Sequence, residues 1–206
     1  MEKVKILLLG DSPIAQYARY ILSDYDVLMI ADRVRDPVLP DNFHPQAAFS
    51  VKYPYLLKKD FIERVGVPII NFHTAPLPEL RGVDTTSWAI IHGLKRFGVT
   101  VHLIEEKVDN GAIVLKRTFP VKSYDTAYSL YNKNLALLTE ILEENLIDYA
   151  EGKYTTKQVK SKVSYVHKNG EFDYTKLDVT DSAEIRARVF PGRQMPYVNH
   201  NSVLHQ

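Results

Sequence analysis

The chain has 206 residues, 45% hydrophobic and 25% charged, which suits one soluble globular domain with a real core and room for a small appendage. Lys and Arg number 26 against 25 Asp and Glu, so no net field draws the protein to nucleic acid or to an anionic membrane. Cysteine is absent, which excludes disulfides, thiolate metal sites and Cys nucleophiles, and no stretch nears the roughly 18 apolar residues of a membrane-spanning helix.

The first segment, "VKILLLG" (4–10), is a continuous apolar run closed by glycine and reads as a buried parallel strand. It has too short an apolar run for a secretory leader, so the protein is expected in the cytoplasm. "SPIAQYARYILSDY" (12–25) follows as a helix, with Ser12 as N-cap and Pro13 at the first helical position. The Gly10-Asp11-Ser12 turn between them lacks a dinucleotide fingerprint and a P-loop, although a helix start there could meet a phosphate.

"DVLMIA" (26–31) reads as a second strand, "RVRDPVLPDNFHP" as loop, "AAFSV" (47–51) as a third strand, "LLKKDFIERV" (56–65) as a short helix and "VPIIN" (67–71) as a fourth strand. Strand and helix alternate to this point, which indicates an α/β fold with a parallel sheet. "TSWAIIHGL" (86–94) is helical, "VTVHLI" (99–104) and "AIVLKRTFPV" (112–121) are two strands around "EEKVDNG", and 123–152 is one long amphipathic helix. Beyond it the pattern weakens, with a strand near "KVSYV" (162–166), a turn at "KNGEFD" and a helix over "SAEIRARVF" (182–190). The division expected is a domain over 1–153 and a short C-terminal extension over 154–206.

In open parallel sheets ligands sit beyond the carboxyl ends of the strands. Asn71 and His73 lie at that end of the fourth strand, two residues apart and so on one side of an extended segment. Pro76 and Pro78 restrict the loop that leaves them. "YPYLL" (53–57) and "EEKVDNG", with Asp109 as its acid, belong to the same rim. An amide can stabilise a developing oxyanion, an imidazole can move a proton near neutral pH, and a carboxylate can hold the imidazole and favour its charged form. None of the three need act as a nucleophile, which suits direct acyl transfer. Taken singly, Asn-x-His after a strand is more often loop chemistry, and Asp-x-Gly more often a turn. His92 and His102 are read as structural or surface residues.

"NFHTAPLPELRG" (71–82), then "SWAIIHG", then "GVTVHLIEEKVDNGAIV" in this order and spacing resembles the formyltransferases that use 10-formyltetrahydrofolate. The likeness covers residues 50–121 well. It implies a Rossmann-like, open, mostly parallel sheet with helices on both faces and a catalytic triad of Asn71, His73 and Asp109. In that triad Asn71 and a protonated His73 stabilise the oxyanion, His73 shuttles a proton, and Asp109 orients and charges His73 or a water. The pterin would pack against Tyr53, Pro54, Tyr55, Leu56 and Leu57 and against Glu105, Val108 and Asp109. The acceptor would meet Thr74, Pro76, Arg81, Gly82 and Trp88, and no metal would be required.

Within that family the sugar N-formyltransferases are the most similar. The shared features are "YP" after the third strand, "NFH-x-x-PLP-x-x-RG", "WAI-x-x-G" before "GVT", and a tail resembling "KNGEFDYTKL…SAEIRARVFPG". The ribonucleotide enzymes carry a Gly-rich phosphate loop after the first strand, where Pro13 stands here. The methionyl-tRNA enzymes carry a further C-terminal domain, and this chain has no basic surplus for tRNA. The resemblance implies formyl transfer to the primary amine of an amino sugar, nucleotide-linked through dTDP or UDP, for surface-glycan synthesis, with neither nucleic acid nor membrane as partner. Another amine as acceptor, ribonucleotide or aminoacyl, and a folate- or nucleotide-binding protein without catalysis are the alternatives. Tail aromatics such as Phe172 and Tyr197 could pack on the core or on a second subunit, which leaves a homodimer open.

Overall fold

The computed structural model describes residues 3–159, 166–168 and 188–189. In chain order these residues form β1 (Lys5–Leu9), α1 (Pro13–Ile21), β2 (Asp26–Ile30), β3 (Ala47–Val51), α2 (Lys59–Val65), β4 (Ile69–His73), α3 (Thr85–Ile91), β5 (Arg96–Leu103), β6 (Ile113–Pro120) and α4 (Ala127–Ala150). The six strands make one sheet in the order β2-β1-β3-β4-β5-β6. The first four run parallel, as their unbroken apolar runs predict, while β5 and β6 are each antiparallel to the strand before. This is the Rossmann-like, mostly parallel sheet expected, with an antiparallel edge.

Alternation along the strands sorts the side chains to two faces. Ile6, Leu8, Phe49, Val51, Ile70, Phe72, Val99 and Val101 point to one face and pack under α1 (Ala15, Ala18) and α4 (Leu138, Ile141, Leu142). On the other face Leu7, Leu9, Ala48 and Ile69 pack against Phe61 and Val65 of α2. A separate cluster gathers Ala89 and Ile90 of α3 with Leu80, Phe97, Ala127 and Leu130. Helices therefore cover both faces.

Element ends moved by a few residues, each for a local reason. β4 extends through His73, because β5 pairs with it out to the His73–Thr100 pair. His73 is thus a strand residue, like Asn71, rather than the first part of the loop. α2 begins only at Lys59, since Leu57 turns inward onto the Phe61 cluster. α4 starts late because Thr126 and Ser129 form a reciprocal cap, each side chain accepting the other's backbone N–H.

The described parts of the extension dock on the body. Lys157 exchanges two backbone hydrogen bonds with Ile113, of 2.8 and 2.9 Å. His167 pairs with Gly82, and the Arg188 guanidinium donates to the Asp125 carbonyl at 2.7 Å. Of the helix read over 182–190, Arg188 and Val189 are helical; the rest of it, the strand at 162–165 and the turn after Lys168 lie outside the described residues. Among the described residues no helix is long and apolar enough to cross a membrane.

Candidate active site

The face of the sheet that carries α2 is not apolar throughout. At the carboxyl end of β4 the register aligns Leu9 with Ser50, Ser50 with Asn71, and Asn71 with His102, with His73 beside Thr100. Directly paired residues share a face, so Asn71, His73, Thr100 and His102 project together from two adjacent strands. Thr100, His102 and His73 are all buried. Four adjacent polar side chains on a sheet face cost stability unless each is bonded, and each is.

Thr100 controls the exit from β4. Its hydroxyl donates to the Ala75 carbonyl at 2.8 Å and accepts the Leu77 N–H at 2.9 Å. The Asn134 amide of α4 donates to the Thr74 carbonyl at 2.7 Å. The loop after His73 is therefore held by β5 and α4 as well as by its prolines.

Asp109 reaches the same place from the loop between β5 and β6. Its backbone is left-handed (φ 48°), a conformation Asp tolerates better than most residues. Gly111 lets that loop close, since a Cβ there would stand 1.9 Å from the Leu103 carbonyl oxygen. The Asp109 carboxylate accepts the Gly82 N–H at 2.8 Å, and its oxygens lie 3.7 Å from His73 Nδ1 and 3.5 Å from His102 Nε2. The three sequence-predicted triad residues thus meet.

Two carbonyls assign the histidine tautomers. His73 Nε2 sits 2.9 Å from the Leu80 carbonyl oxygen, which only accepts, so Nε2 carries the proton and Nδ1 is the working nitrogen. His102 Nδ1 donates to the Leu103 carbonyl at 2.8 Å, so its Nε2 is the acceptor facing the Asn71 amide nitrogen at 3.0 Å. His102 is therefore part of the cluster, which corrects its reading as a structural or surface residue. The signal was present in "VTVHL", where Thr100 and His102 interrupt an apolar strand at period two.

Burial pushes the His73 imidazole below its usual pKa, with Asp109 opposing and His102 reinforcing the fall. Burial thus favours the neutral ring, and charge on it depends on the proton it takes up. Burial alone would raise the Asp109 carboxyl, but the His73 and His102 imidazoles, when charged, and the Gly82 N–H outweigh it and hold the group well below the usual carboxylate range. A fixed anion thus waits beside the nitrogen that can become a cation.

The remaining expected residues fall on two flanks. Tyr53 and Leu57 pack on the Leu7–Phe61 cluster, where Ile104, at the start of the Asp109 loop, also packs; Leu56 is exposed. The Tyr53 and Tyr55 rings meet edge to face at 5.8 Å, and Lys59 pairs with Glu106 at 3.3 Å, so the 53–59 segment and the Asp109 loop are neighbours. Opposite them Leu80 and Trp88 belong to the α3 cluster. The His167 ring stacks on Trp88 at 4.2 Å and His92 at 5.5 Å. Because His92 and His167 are only 5.7 Å apart, both imidazoles lie on the same side of the indole. The Arg81 side chain is buried, and its Nε has no hydrogen-bond partner.

The Gly10 turn has a different chemistry from the phosphate contact considered. The Asp11 N–H donates to Asp32 at 3.0 Å and the Asp32 N–H to Asp11 at 3.1 Å. The amide an anion would use is occupied, and two carboxylates stand beside it. Among the described residues no group of His, Cys, Asp and Glu is arranged to hold a metal ion.

Comparison with known proteins gives a consistent picture. The family model described as Formyl transferase matches residues 13–146. The GDP-perosamine N-formyltransferase of Brucella melitensis is 30% identical over 153 residues, covering 73% of this chain and 59% of that protein. The methionyl-tRNA formyltransferase of Fervidobacterium nodosum is 34% identical over 151 residues, covering 71% of this chain and 47% of that protein. The chain thus spans about half to three-fifths of the length of these relatives. The crystal structure of the N-formyltransferase from Helicobacter canadensis, in complex with folinic acid and dTDP-3-aminofucose, superposes with a TM-score of 0.76 at 22% identity, covering 95% of this chain and 84% of that one.

Proposed function

The chain belongs to the formyl transferase family, and from that premise we propose that it moves a formyl group from 10-formyltetrahydrofolate to the primary amine of a nucleotide-linked amino sugar. The observation that carries this reading is the Asn71–His73–Asp109 cluster, with His73 buried and its two partners half-buried, which has an oxyanion donor, a base and an anion but no nucleophile. Such a set suits direct transfer between two bound substrates.

The amine nitrogen attacks the formyl carbon, and the carbonyl oxygen becomes an oxyanion. Asn71 donates the amide N–H that His102 does not use, a contact of a kind worth about 3 to 4 kcal/mol in known oxyanion holes. His73 Nδ1 takes the proton from the attacking nitrogen, and the imidazolium so formed is stabilised by Asp109. The C–N10 bond then breaks, and His73 returns the proton to the departing folate nitrogen. The bond to the sugar nitrogen replaces the bond to N10, and every proton is accounted for.

The apolar flank of Tyr53, Pro54, Tyr55, Leu56 and Leu57, with Glu105 and Val108 beside it, is the place for the pterin. The acceptor then enters from the flank of Thr74, Pro76, Gly82 and Trp88. There the buried Arg81 guanidinium, whose side chain makes no ion pair among the described residues, suits the diphosphate of a nucleotide sugar. Residues 1–153 carry the chemistry, and 154–206 form a C-terminal extension whose described residue His167 meets Gly82 and Trp88 on the acceptor flank. The similarity to a GDP-perosamine N-formyltransferase supports a nucleotide-linked amino sugar as acceptor. The reaction is placed in the cytoplasm, where the folate donor is made.

Incubation with 10-formyltetrahydrofolate and a panel of GDP-, dTDP- and UDP-amino sugars, together with glycinamide ribonucleotide and methionyl-tRNA, tests this reading by mass detection of a formyl gain. Formylation of a nucleotide amino sugar is expected. Formylation of methionyl-tRNA or the ribonucleotide alone would move the acceptor. No transfer, with or without folate binding, would remove catalysis from the proposal.

A further inference from the structure

His102 is the residue of the cluster that the triad does not explain. It is 2% exposed, and it is the cross-strand partner of Asn71. The β4–β5 and β5–β6 ladders treat it differently. Its pairing with Asn71 is regular, whereas the pairing of β5 with β6 shifts register between Val101 and His102. The extra residue there is Val114 of β6, so β6 is the strand that bends, while β5 keeps its regular pairing with β4 and His102 stays on the face of Asn71. The ring ends with one nitrogen on the Leu103 carbonyl and the other toward Asn71 and Asp109.

This geometry has a consequence for Asn71. An amide side chain can present either its NH2 or its oxygen by a half-turn of the terminal group. Only the NH2 can stabilise an oxyanion. His102 Nδ1 is committed as a donor, so Nε2 presents a lone pair and can accept only from Asn71 Nδ2. The amide oxygen in its place would meet that lone pair.

We propose that His102 is a positioning residue which, held as the Nδ1–H tautomer by the Leu103 carbonyl, locks the Asn71 amide in its donor orientation and so presets the oxyanion contact. The groups facing it are the Asn71 amide, the Asp109 carboxylate and, at 6.1 Å between ring centroids, His73. The proposal rests on the formyl-transfer reading for its kinetic arm alone. Its spectroscopic arm stands without it.

The test uses the full chain. Long-range proton–nitrogen correlation of the 15N-histidine-labelled protein at pH 7.5 reads the His102 tautomer directly, with His102→Gln as the assignment control. An Nδ1–H ring with an unprotonated Nε2 is expected; an Nε2–H or doubly protonated ring overturns the proposal. In kinetics, His102→Leu is expected to lower kcat about 30- to 100-fold while each KM stays within about threefold, a scale set by one oxyanion donor. His102→Gln, which keeps an acceptor oxygen, is expected to recover most of that loss. In an Asn71→Ala background His102→Leu should cost less than about threefold further, because the two residues act as one unit. Multiplicative losses, or a His102→Gln variant as poor as His102→Leu, would overturn it. Absence of transfer by the unsubstituted chain would count against the formyl-transfer reading instead, and the tautomer measurement would still decide the positioning role.

Discussion

Replacing Asp109 by Asn removes one charge from the centre of the site and almost nothing else. The side chain keeps its size, and its amide oxygen can still accept the Gly82 N–H that Asp109 holds at 2.8 Å. What disappears is the attraction between the carboxylate and a proton arriving on His73 Nδ1, 3.7 Å away. At that separation, with an effective dielectric near 20, opposite unit charges attract by about 4 kcal/mol. Both groups are buried, at 9% and 12% side-chain exposure, so solvent screens little of it. About 1.4 kcal/mol corresponds to a tenfold rate change, so full expression of this attraction in the transition state is worth about 1,000-fold and half of it about 30-fold. The expected result for Asp109→Asn is a kcat lowered by about 100- to 1,000-fold with KM for the folate donor little changed, measured by mass detection of the formylated acceptor. The melting temperature serves as the fold control. A correctly folded variant within about fivefold of the parent kcat would show that no positive charge develops on His73, and the proton route would have to be redrawn.

The other expectations concern the partners of that charge. Asn71→Ala and His73→Ala should each lower kcat by at least about 100-fold while circular dichroism stays unchanged, the size of one oxyanion or proton-transfer contribution. The pH dependence of stability should carry a histidine signature. The folded His73 pKa is depressed below its unfolded value of about 6.5, so the unfolded chain binds the extra proton first and stability falls as pH drops below that value. His73→Gln should flatten the loss below about pH 6.5, while the contribution of His167, also depressed by burial and by His92, remains. Thr100→Val, which strands the Leu77 N–H and the Ala75 carbonyl in a buried site, should cost about 2 to 4 kcal/mol in urea unfolding. Gly82 has φ 85°, and a Cβ there would stand 1.9 Å from the His167 carbonyl oxygen. Gly82→Ala should therefore destabilise by about 2 kcal/mol or more in the same measurement and lower kcat by loosening the Asp109 anchor.

The fold was legible in the sequence where burial is enforced by the backbone. Strands buried on both faces must be apolar throughout, so "KILLL", "AAFSV" and the start of "IINFH" announce themselves, and the helices between them follow from period and caps. Asn71 and His73 were legible together because two residues of one strand share a face whatever else the chain does. Asp109 was placed on the rim by the position of its loop, and the family likeness set it apart from an ordinary turn residue. His102 was read wrongly because its role depends on which strand lies next to β4 and in what register. A shift of one residue would have sent it to the opposite face. That pairing exists only once β5 is antiparallel to β4. The same holds for Gly82, which sequence placed in a pocket wall. Only the folded chain puts its N–H on Asp109 and the backbone of His167, 85 residues further along, against its Cα. Contacts between segments so far apart in the chain are set by the summed packing of the whole sheet, and no local stretch encodes them.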